Sequence, residues 1–213
     1  MPASKKDTEA TQKRYDRIAP VYDLMEGLVE RSSYAKWREM LWRRVEGEKI
    51  LEIGVGTGKN FPYYPAETEI TAVDFSARML QRARRKAERE TMAVRLEQMD
   101  VQHLEFADGT FDTVVATFVF CSVPDPVLGL QEIERVCKPG GKVILLEHVL
   151  SDNRRLAWWM NLVSPLVSGT MGPHINRRTV ENVGRSGLVV ERVTDLAFGI
   201  FKLIEARKQS SPA

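Results

Sequence analysis

The chain has 213 residues, of which 43% are hydrophobic and 28% charged, and its net charge is +2. A chain of that length forms one domain that buries a full core without disulfides or metal, and the composition excludes a disordered, fibrous or low-complexity protein. Net charge alone says little about partners, but Lys5, Lys6, Lys13, Arg14 and Arg17 crowd the start, where a basic segment can meet anionic lipid or nucleic acid.

Residues 1–46 read as a helical cap of two or three helices, with Tyr15, Ile18, Val21, Tyr22, Met25 and Leu28 recurring at helical spacing and Pro20 opening a second helix. From 47 to 208 short apolar runs alternate with helical stretches. Strands are predicted at 49–53, 70–73, 94–99, 113–117 and 143–147, and helices at 77–89 and 127–137. Lys138-Pro139-Gly140-Gly141 reads as a stop and turn before the fifth strand. An apolar, Trp-bearing segment follows at 154–171, then a short helix at 179–185 and closing strands at 188–194 and 199–206, with 209–213 as a frayed tail. The alternation predicts an α/β fold with a mostly parallel sheet covered on both faces.

The start has no apolar core of the kind that targets export, and the longest apolar stretch, 156–167, is too short to span a bilayer. Cys121 and Cys137 lack CxxC spacing and fall on apolar elements, which suggests reduced, buried thiols in a cytosolic protein and no cysteine-bound metal.

The chemistry concentrates at Glu52-Ile53-Gly54-Val55-Gly56-Thr57-Gly58. A strand turning through alternate glycines lets the backbone approach a ligand at the carboxyl edge of a parallel sheet. A dinucleotide fingerprint needs a third glycine at position 59, where this chain has Lys59. Glu52 before the turn suits a cationic ammonium better than a pyrophosphate, so the implied cofactor has no phosphate. Asp74, ending the second strand, can accept both hydroxyls of a ribose or simply cap the next helix. Asp100 can accept from the exocyclic amine of adenine, with Met79, Met99 and Val101 as apolar walls or ordinary core.

Tyr15-Asp16-Arg17-Ile18-Ala19-Pro20-Val21-Tyr22-Asp23, the 52–58 turn, Asp74-Phe75-Ser76, Phe111-Asp112 and Lys138-Pro139-Gly140-Gly141 together resemble a class I S-adenosylmethionine-dependent methyltransferase over residues 12 to 150. Within that superfamily the chain is most similar to the small bacterial phosphatidylethanolamine N-methyltransferases, and less closely to the ubiquinone/menaquinone C-methyltransferases. The resemblance implies a Rossmann-like, seven-stranded fold with N-terminal helices capping the active site. It implies S-adenosylmethionine as cofactor and S-adenosylhomocysteine as product. Gly54, Gly56 and Gly58 are then expected to shape the turn, Asp74 and Phe75 to meet the ribose, and Met79, Asp100 and Val101 the adenine. Thr117 is expected under the methyl donor, and Tyr15 and Tyr22 over cofactor and amine.

An ethanolamine ammonium, with a pKa of about 10, must lose a proton before its nitrogen attacks. Tyr15, Tyr22 and His148 are the candidate catalytic residues; each tyrosine is alternatively an amphipathic core residue, and His148 a hydrogen-bonded strand end. A phospholipid substrate also carries a phosphate, for which His174, Asn176, Arg177 and Arg178 are candidates; the arginines are alternatively a solvated helix face. Trp158, Trp159, Leu162 and Val163, flanked by Arg154 and Arg155, suit a membrane interface or packing against the sheet. The expected setting is therefore cytoplasmic and peripheral to the inner face of an anionic membrane, without metal or nucleic acid. Rival readings are a polyprenyl-quinol C-methyltransferase and a non-catalytic membrane-binding protein of the same fold.

Overall fold

The computed structural model describes residues 33–170 and 174–210. Helix α1 (Ala35–Trp42) precedes β1 (Lys49–Ile53), β2 (Glu69–Asp74), α2 (Ala77–Arg89), β3 (Arg95–Gln98), β4 (Phe111–Thr117), α3 (Pro126–Val136), β5 (Cys137–His148), α4 (Arg154–Thr170), α5 (Thr179–Arg185), β6 (Val189–Ala197) and β7 (Phe201–Arg207). The strands form one seven-stranded sheet in the order β3-β2-β1-β4-β5-β7-β6, parallel except for β7, which runs against both its neighbours. The predicted α/β class and mostly parallel sheet are therefore present.

Burial follows from that layering. Ile50, Leu51 and Ile53 on β1, Val114 to Ala116 on β4, and Val143 to Leu146 on β5 are runs of fully buried apolar residues, as a strand covered on both faces requires. On one face Leu51, Val114 and Leu145 pack with Leu130 and Ile133 of α3. On the other, Ile50, Val115 and Ile144 pack with Leu41 and Trp42 of α1. Helix α2 starts at Ser76, whose hydroxyl accepts the Met79 amide at 3.2 Å, and its buried Leu80, Ala83 and Ala87 fall on one helical stripe. Helix α3 starts in the same way, with the Asp125 carboxylate accepting the Leu128 amide and Pro126 in its first turn.

One expectation is corrected by the geometry. Lys138-Pro139-Gly140-Gly141 is not a turn ahead of the fifth strand, because β5 already begins at Cys137. Cys137 pairs with Phe111 and Lys142 with Thr113, so the Pro-Gly-Gly residues bulge out within one strand, where proline needs no ladder partner and Gly140 takes φ of +73°.

The strand order reverses between β1 and β4, since β2 lies beyond one and β5 beyond the other. Connections leaving two adjacent strands in opposite directions open a crevice at their carboxyl ends.

Candidate functional site

A cavity of about 740 Å³, including its open mouth, occupies that crevice. Its lining comes from the carboxyl ends of four strands: Gly54 and Gly56 after β1, Asp74, Phe75 and Met79 after β2, Asp100 and Val101 after β3, and Thr117 with the 118–124 loop after β4. Eight of the sequence-predicted cofactor residues thus surround one space.

The turn after β1 is held by the backbone. The Gly54 and Val55 amides donate to the Val73 carbonyl at 2.8 and 3.0 Å, and Gly54, Gly56 and Gly58 have φ of +69°, +56° and +82°. A side chain at Gly54 would run into Val119, with its Cβ 2.4 Å from a Val119 methyl carbon. At Gly56 a Cβ would meet nothing within 4 Å among the described residues. Gly54 is therefore required by packing, whereas Gly56 keeps the turn bare where it faces the cavity.

The Asp74 carboxylate takes the Gly56 amide on Oδ2 and the Ser76 amide on Oδ1, each at 2.9 Å. Each carboxylate oxygen has a further lone pair, so two backbone bonds orient Asp74 and leave it able to accept ribose hydroxyls. Asp100 is oriented by Gln102, whose backbone amide donates to Oδ1 at 2.9 Å and whose side-chain amide donates to Oδ2 at 2.9 Å. Gln102 in turn accepts the Asp125 amide at 3.0 Å, tying the adenine-side wall to the start of α3. Met79, Met99 and Val101 supply apolar surface between these polar groups.

Glu52 and Gly58 do not line the cavity. Glu52 is 1% exposed, and its carboxylate accepts from Asn60 Nδ2 at 2.5 Å and from the Tyr64 hydroxyl. Burial pushes its pKa up, opposed by those two hydrogen bonds and by the nearby Arg38. Those two hydrogen bonds make Glu52 a brace behind the turn. Gly58 is packed against Phe61, whose ring would lie 2.5 Å from a Cβ there.

Asn60 and Arg38 are functional residues that the sequence reading passed over. Asn60 accepts from Arg38 Nη1 at 2.9 Å and donates to Thr117 Oγ1 at 3.1 Å as well as to Glu52, so one buried amide joins α1, the glycine turn and the end of β4. The Arg38 guanidinium also lies 5.6 Å from the centre of the Phe118 ring. Asn60 closing Gly58-Lys59-Asn60 was the available signal, and only the fold reveals its partners.

The remaining predicted residues are more dispersed. Tyr15 and Tyr22 lie outside the described residues. His148 ends β5, edge-on to Phe201 at 5.1 Å, and Phe201 packs against the cavity-lining Phe118 at 6.2 Å. Its Nδ1 is buried with no hydrogen-bond partner among the described residues, and burial lowers its pKa, so the ring is neutral near pH 7.

None of the four predicted substrate residues lines the cavity. Asn176 donates to Asn161 and accepts from Ser164 of α4 at 3.0 and 2.8 Å, and Arg177 donates to the Val123 carbonyl at 2.8 Å from beneath the 118–124 loop. Both help to hold chain segments together, and among the described residues the buried Arg177 Nε has no hydrogen-bond partner. The His174 amide donates to the Cys121 carbonyl, joining the same loop. Arg178 is exposed and pairs with Glu181 at 3.1 Å, so it alone of the two arginines offers a cation to solvent. Both cysteines are free and buried, and among the described residues no cluster of His, Cys, Asp and Glu is arranged to hold a metal ion.

An open glycine turn, a backbone-oriented carboxylate after β2, a second after β3 and apolar walls between them fit the amino-acid, ribose and adenine parts of S-adenosylmethionine in turn. Residues 51–145 match the family described as "Methyltransferase domain". A phosphatidylethanolamine N-methyltransferase of Cereibacter sphaeroides is 39% identical over 71% of this chain and 74% of its own length. The chain belongs to the class I S-adenosylmethionine-dependent methyltransferases. Other members of this methyltransferase superfamily lie further off. A demethylmenaquinone methyltransferase of Lactiplantibacillus plantarum is 32% identical over 71% of this chain and 70% of its own. A ubiquinone/menaquinone biosynthesis C-methyltransferase of Geotalea uraniireducens is 32% identical over 65% of this chain and 63% of its own. A solved S-adenosylmethionine-dependent methyltransferase of Thermotoga maritima superposes with a TM-score of 0.72 over 92% of this chain and 99% of its own, at 20% identity, which shows the shared fold.

The bound cofactor supplies a methyl group on a sulfonium, already activated for in-line displacement. What remains for the methyltransferase is to hold an acceptor in line with that carbon, exclude water and remove a proton where the acceptor carries one.

Proposed function

We propose that this methyltransferase adds methyl groups to the amine of phosphatidylethanolamine and its partly methylated forms, towards phosphatidylcholine, at a membrane surface. The observation that carries this reading is the 39% identity to the Cereibacter sphaeroides phosphatidylethanolamine enzyme, above the 32% to either quinone-pathway relative. In this reading Gly54, Gly56, Asp74, Phe75, Met79, Asp100, Val101 and Thr117 hold the donor, with Tyr22 closing over it. Tyr15 and Tyr22 orient the amine, and His148, neutral with a free Nδ1, accepts its proton. Arg178, exposed to solvent, and Arg177, whose buried Nε has no partner among the described residues, are the candidates for the lipid phosphate, with His174 and Asn176 beside them.

Helix α4 supports a membrane setting. Trp158 and Trp159 are 60% and 59% exposed, beside exposed Leu156, Leu162 and Val163. Amphipathic aromatic side chains of this kind insert at the headgroup boundary, and Arg154, Arg155 and the basic N-terminal segment add attraction to anionic lipid. No helix among the described residues is long and apolar enough to cross a bilayer. Peripheral attachment to the inner, anionic face of the cytoplasmic membrane follows from this reading.

Carbon methylation of a quinol is the second reading, favoured by the two quinone-pathway relatives. The full chain, labelled S-adenosylmethionine and vesicles holding either phosphatidylethanolamine or a demethylated quinol discriminate the two. Label in the ethanolamine lipid is the expected outcome, and label in the quinol alone overturns the proposal.

A further inference from the structure

Phe118, directly after β4, is an aromatic residue with φ of +57°. That left-handed conformation is uncommon outside glycine, and surrounding contacts must hold it. The hold comes from the neighbouring strand. The Phe118 amide donates to the Leu146 carbonyl at 2.8 Å, and the next two amides, of Val119 and Phe120, donate to Glu147 Oε1 at 2.9 and 3.1 Å. Successive amides after a left-handed residue form a concave anion-binding nest, here filled by the protein's own carboxylate. Glu147 is fully buried, and its Oε2 has no hydrogen-bond partner among the described residues.

The loop so held is a wall of the donor cavity, which Phe118, Val119, Ser122, Val123 and Pro124 line. Val119 also packs against Gly54 so closely that a Cβ there would lie 2.4 Å from a Val119 methyl carbon. A continuous path therefore runs from Glu147 through the Val119 amide and side chain to the glycine turn.

We infer that Glu147 is a positioning residue for the methyl donor, clamping the 118–124 loop against the glycine turn, and that protonation on its free Oε2 loosens the clamp. Oε1 is already engaged by two amides, so Oε2 is where a proton from solvent is taken up, turning the carboxylate into the neutral acid. Charge-assisted bonds to the amides are about twice as strong as neutral ones, so that proton weakens the hold. Burial pushes Glu147 up to about 7, against the lowering effect of the Phe120, Val119 and Cys121 amides.

Four charged or titratable groups stand around it. Cys121 is pushed up to about 12 by burial and by Glu147 and stays a thiol. Arg177, lowered by its own burial, interacts with Cys121 and Asp125. Lys202, opposite Glu147 in the β5–β7 register, pairs with Asp152 at 2.5 Å. His148 is next along β5, and burial lowers it.

The inference rests on the donor site and is independent of which acceptor is methylated. S-adenosylhomocysteine binding by calorimetry tests it on the full chain without any acceptor. From about pH 8.5 to about pH 6 the wild type is expected to lose roughly 3- to 10-fold in affinity, a titration through the carboxyl range set by burial. Glu147→Gln keeps the shape and a neutral acceptor, so it is expected to bind at the wild-type acid level across the whole range. Glu147→Asp, shorter but ionisable, should regain a pH dependence. Thermal melting of each variant separates loss of folding from loss of clamping. A folded Glu147→Gln protein with wild-type affinity, or with an unchanged pH profile, overturns the inference. The same measurement leaves the phosphatidylethanolamine reading untouched, since that fails only in the acceptor assay.

Discussion

Asp74 Oδ2 and the Gly56 amide stand 2.9 Å apart, so the carboxylate after β2 is fastened to the turn after β1. Its other oxygen takes the Ser76 amide at the head of α2. The group expected to meet ribose is therefore also the pin between three elements of the donor site. Asp74→Ala removes an acceptor from two backbone amides and from the donor at once. Hydrogen bonds to a charged group contribute about 1.5–3 kcal/mol each, so affinity for S-adenosylhomocysteine should fall by roughly 10- to 100-fold. Calorimetric titration checks the loss, and unaltered affinity would remove Asp74 from the donor site.

Two glycines of the turn should respond to alanine in different ways. Both have positive φ, which costs an L-residue about 1–2 kcal/mol. Gly54→Ala adds a clash with Val119 and should lower the melting temperature of the free protein further. Gly56→Ala meets no protein atom and should leave stability near the strain cost alone, while blocking the close approach of the donor. Melting curves with and without S-adenosylhomocysteine read both effects: the ligand-induced shift should shrink most at Gly56, although its free protein is the more stable of the two.

How far the sequence foretold this arrangement depends on the range of the forces involved. The bounds of helix α2 were readable because its signals lie within the segment itself, although the cap offered was Asp74 and the structure uses the Ser76 hydroxyl. The glycine turn, Asp74 and Asp100 were readable because they sit at strand ends, which topology carries to one edge. Asn60 was not, since its meaning lies in Arg38, Glu52 and Thr117, each brought to it by the fold. Glu52 was read from its place before the glycine turn, and its bonds to Asn60 and Tyr64 became visible only in the fold. Arg177 was read as a phosphate ligand or a solvated helix face, and its bond to the Val123 carbonyl, 54 residues away, could come only from the fold. The bulge in β5 and the left-handed Phe118 arise from pairing and packing, which have no local pattern.

The Asn60 network predicts a stability effect separate from ligand binding. Asn60→Ala leaves Arg38 without that acceptor and Glu52 without the Asn60 donor, both in buried surroundings. An unsatisfied buried polar group costs about 1–3 kcal/mol, more when charged. Urea denaturation should therefore show a loss of at least about 2 kcal/mol with an unchanged denaturant slope. A change below about 0.5 kcal/mol, the range of ordinary surface substitutions, would show that the network is not stabilising.

Stability should also depend on pH through Glu147. Its folded pKa, about 7, lies above the ordinary carboxyl value of 4.5, so the folded protein holds the proton more tightly than the unfolded chain. The group's contribution is then fully present below about pH 4.5 and is lost as pH rises through about 7, amounting to roughly 3 kcal/mol. Glu46 and Glu132 act in the opposite sense: hydrogen bonds from Lys142 and Arg135 respectively hold them down, so their contribution is lost as pH falls through their lowered values. Stability should peak between these ranges. In Glu147→Gln the decline on the alkaline side should flatten, measured by denaturation at a series of pH values, and a decline equal to that of the wild type would assign it to another group.

The paired rings of Trp158 and Trp159, 5.1 Å apart and edge to face, give α4 its largest exposed apolar surface. Neither ring is buried in the described structure, so replacing both by alanine should change the melting temperature little. At a membrane the same change removes two amphipathic anchors whose burial contributes on the order of 1.5–3 kcal/mol each. Co-sedimentation with vesicles containing anionic lipid should then fall by at least about 10-fold. Activity on phosphatidylethanolamine in vesicles should drop in parallel, whereas activity on a short-chain, water-soluble phosphatidylethanolamine should be retained. That split distinguishes an anchoring helix from one that shapes the site: equal loss on both substrates would place the tryptophans at the acceptor, and equal retention would leave α4 off the membrane.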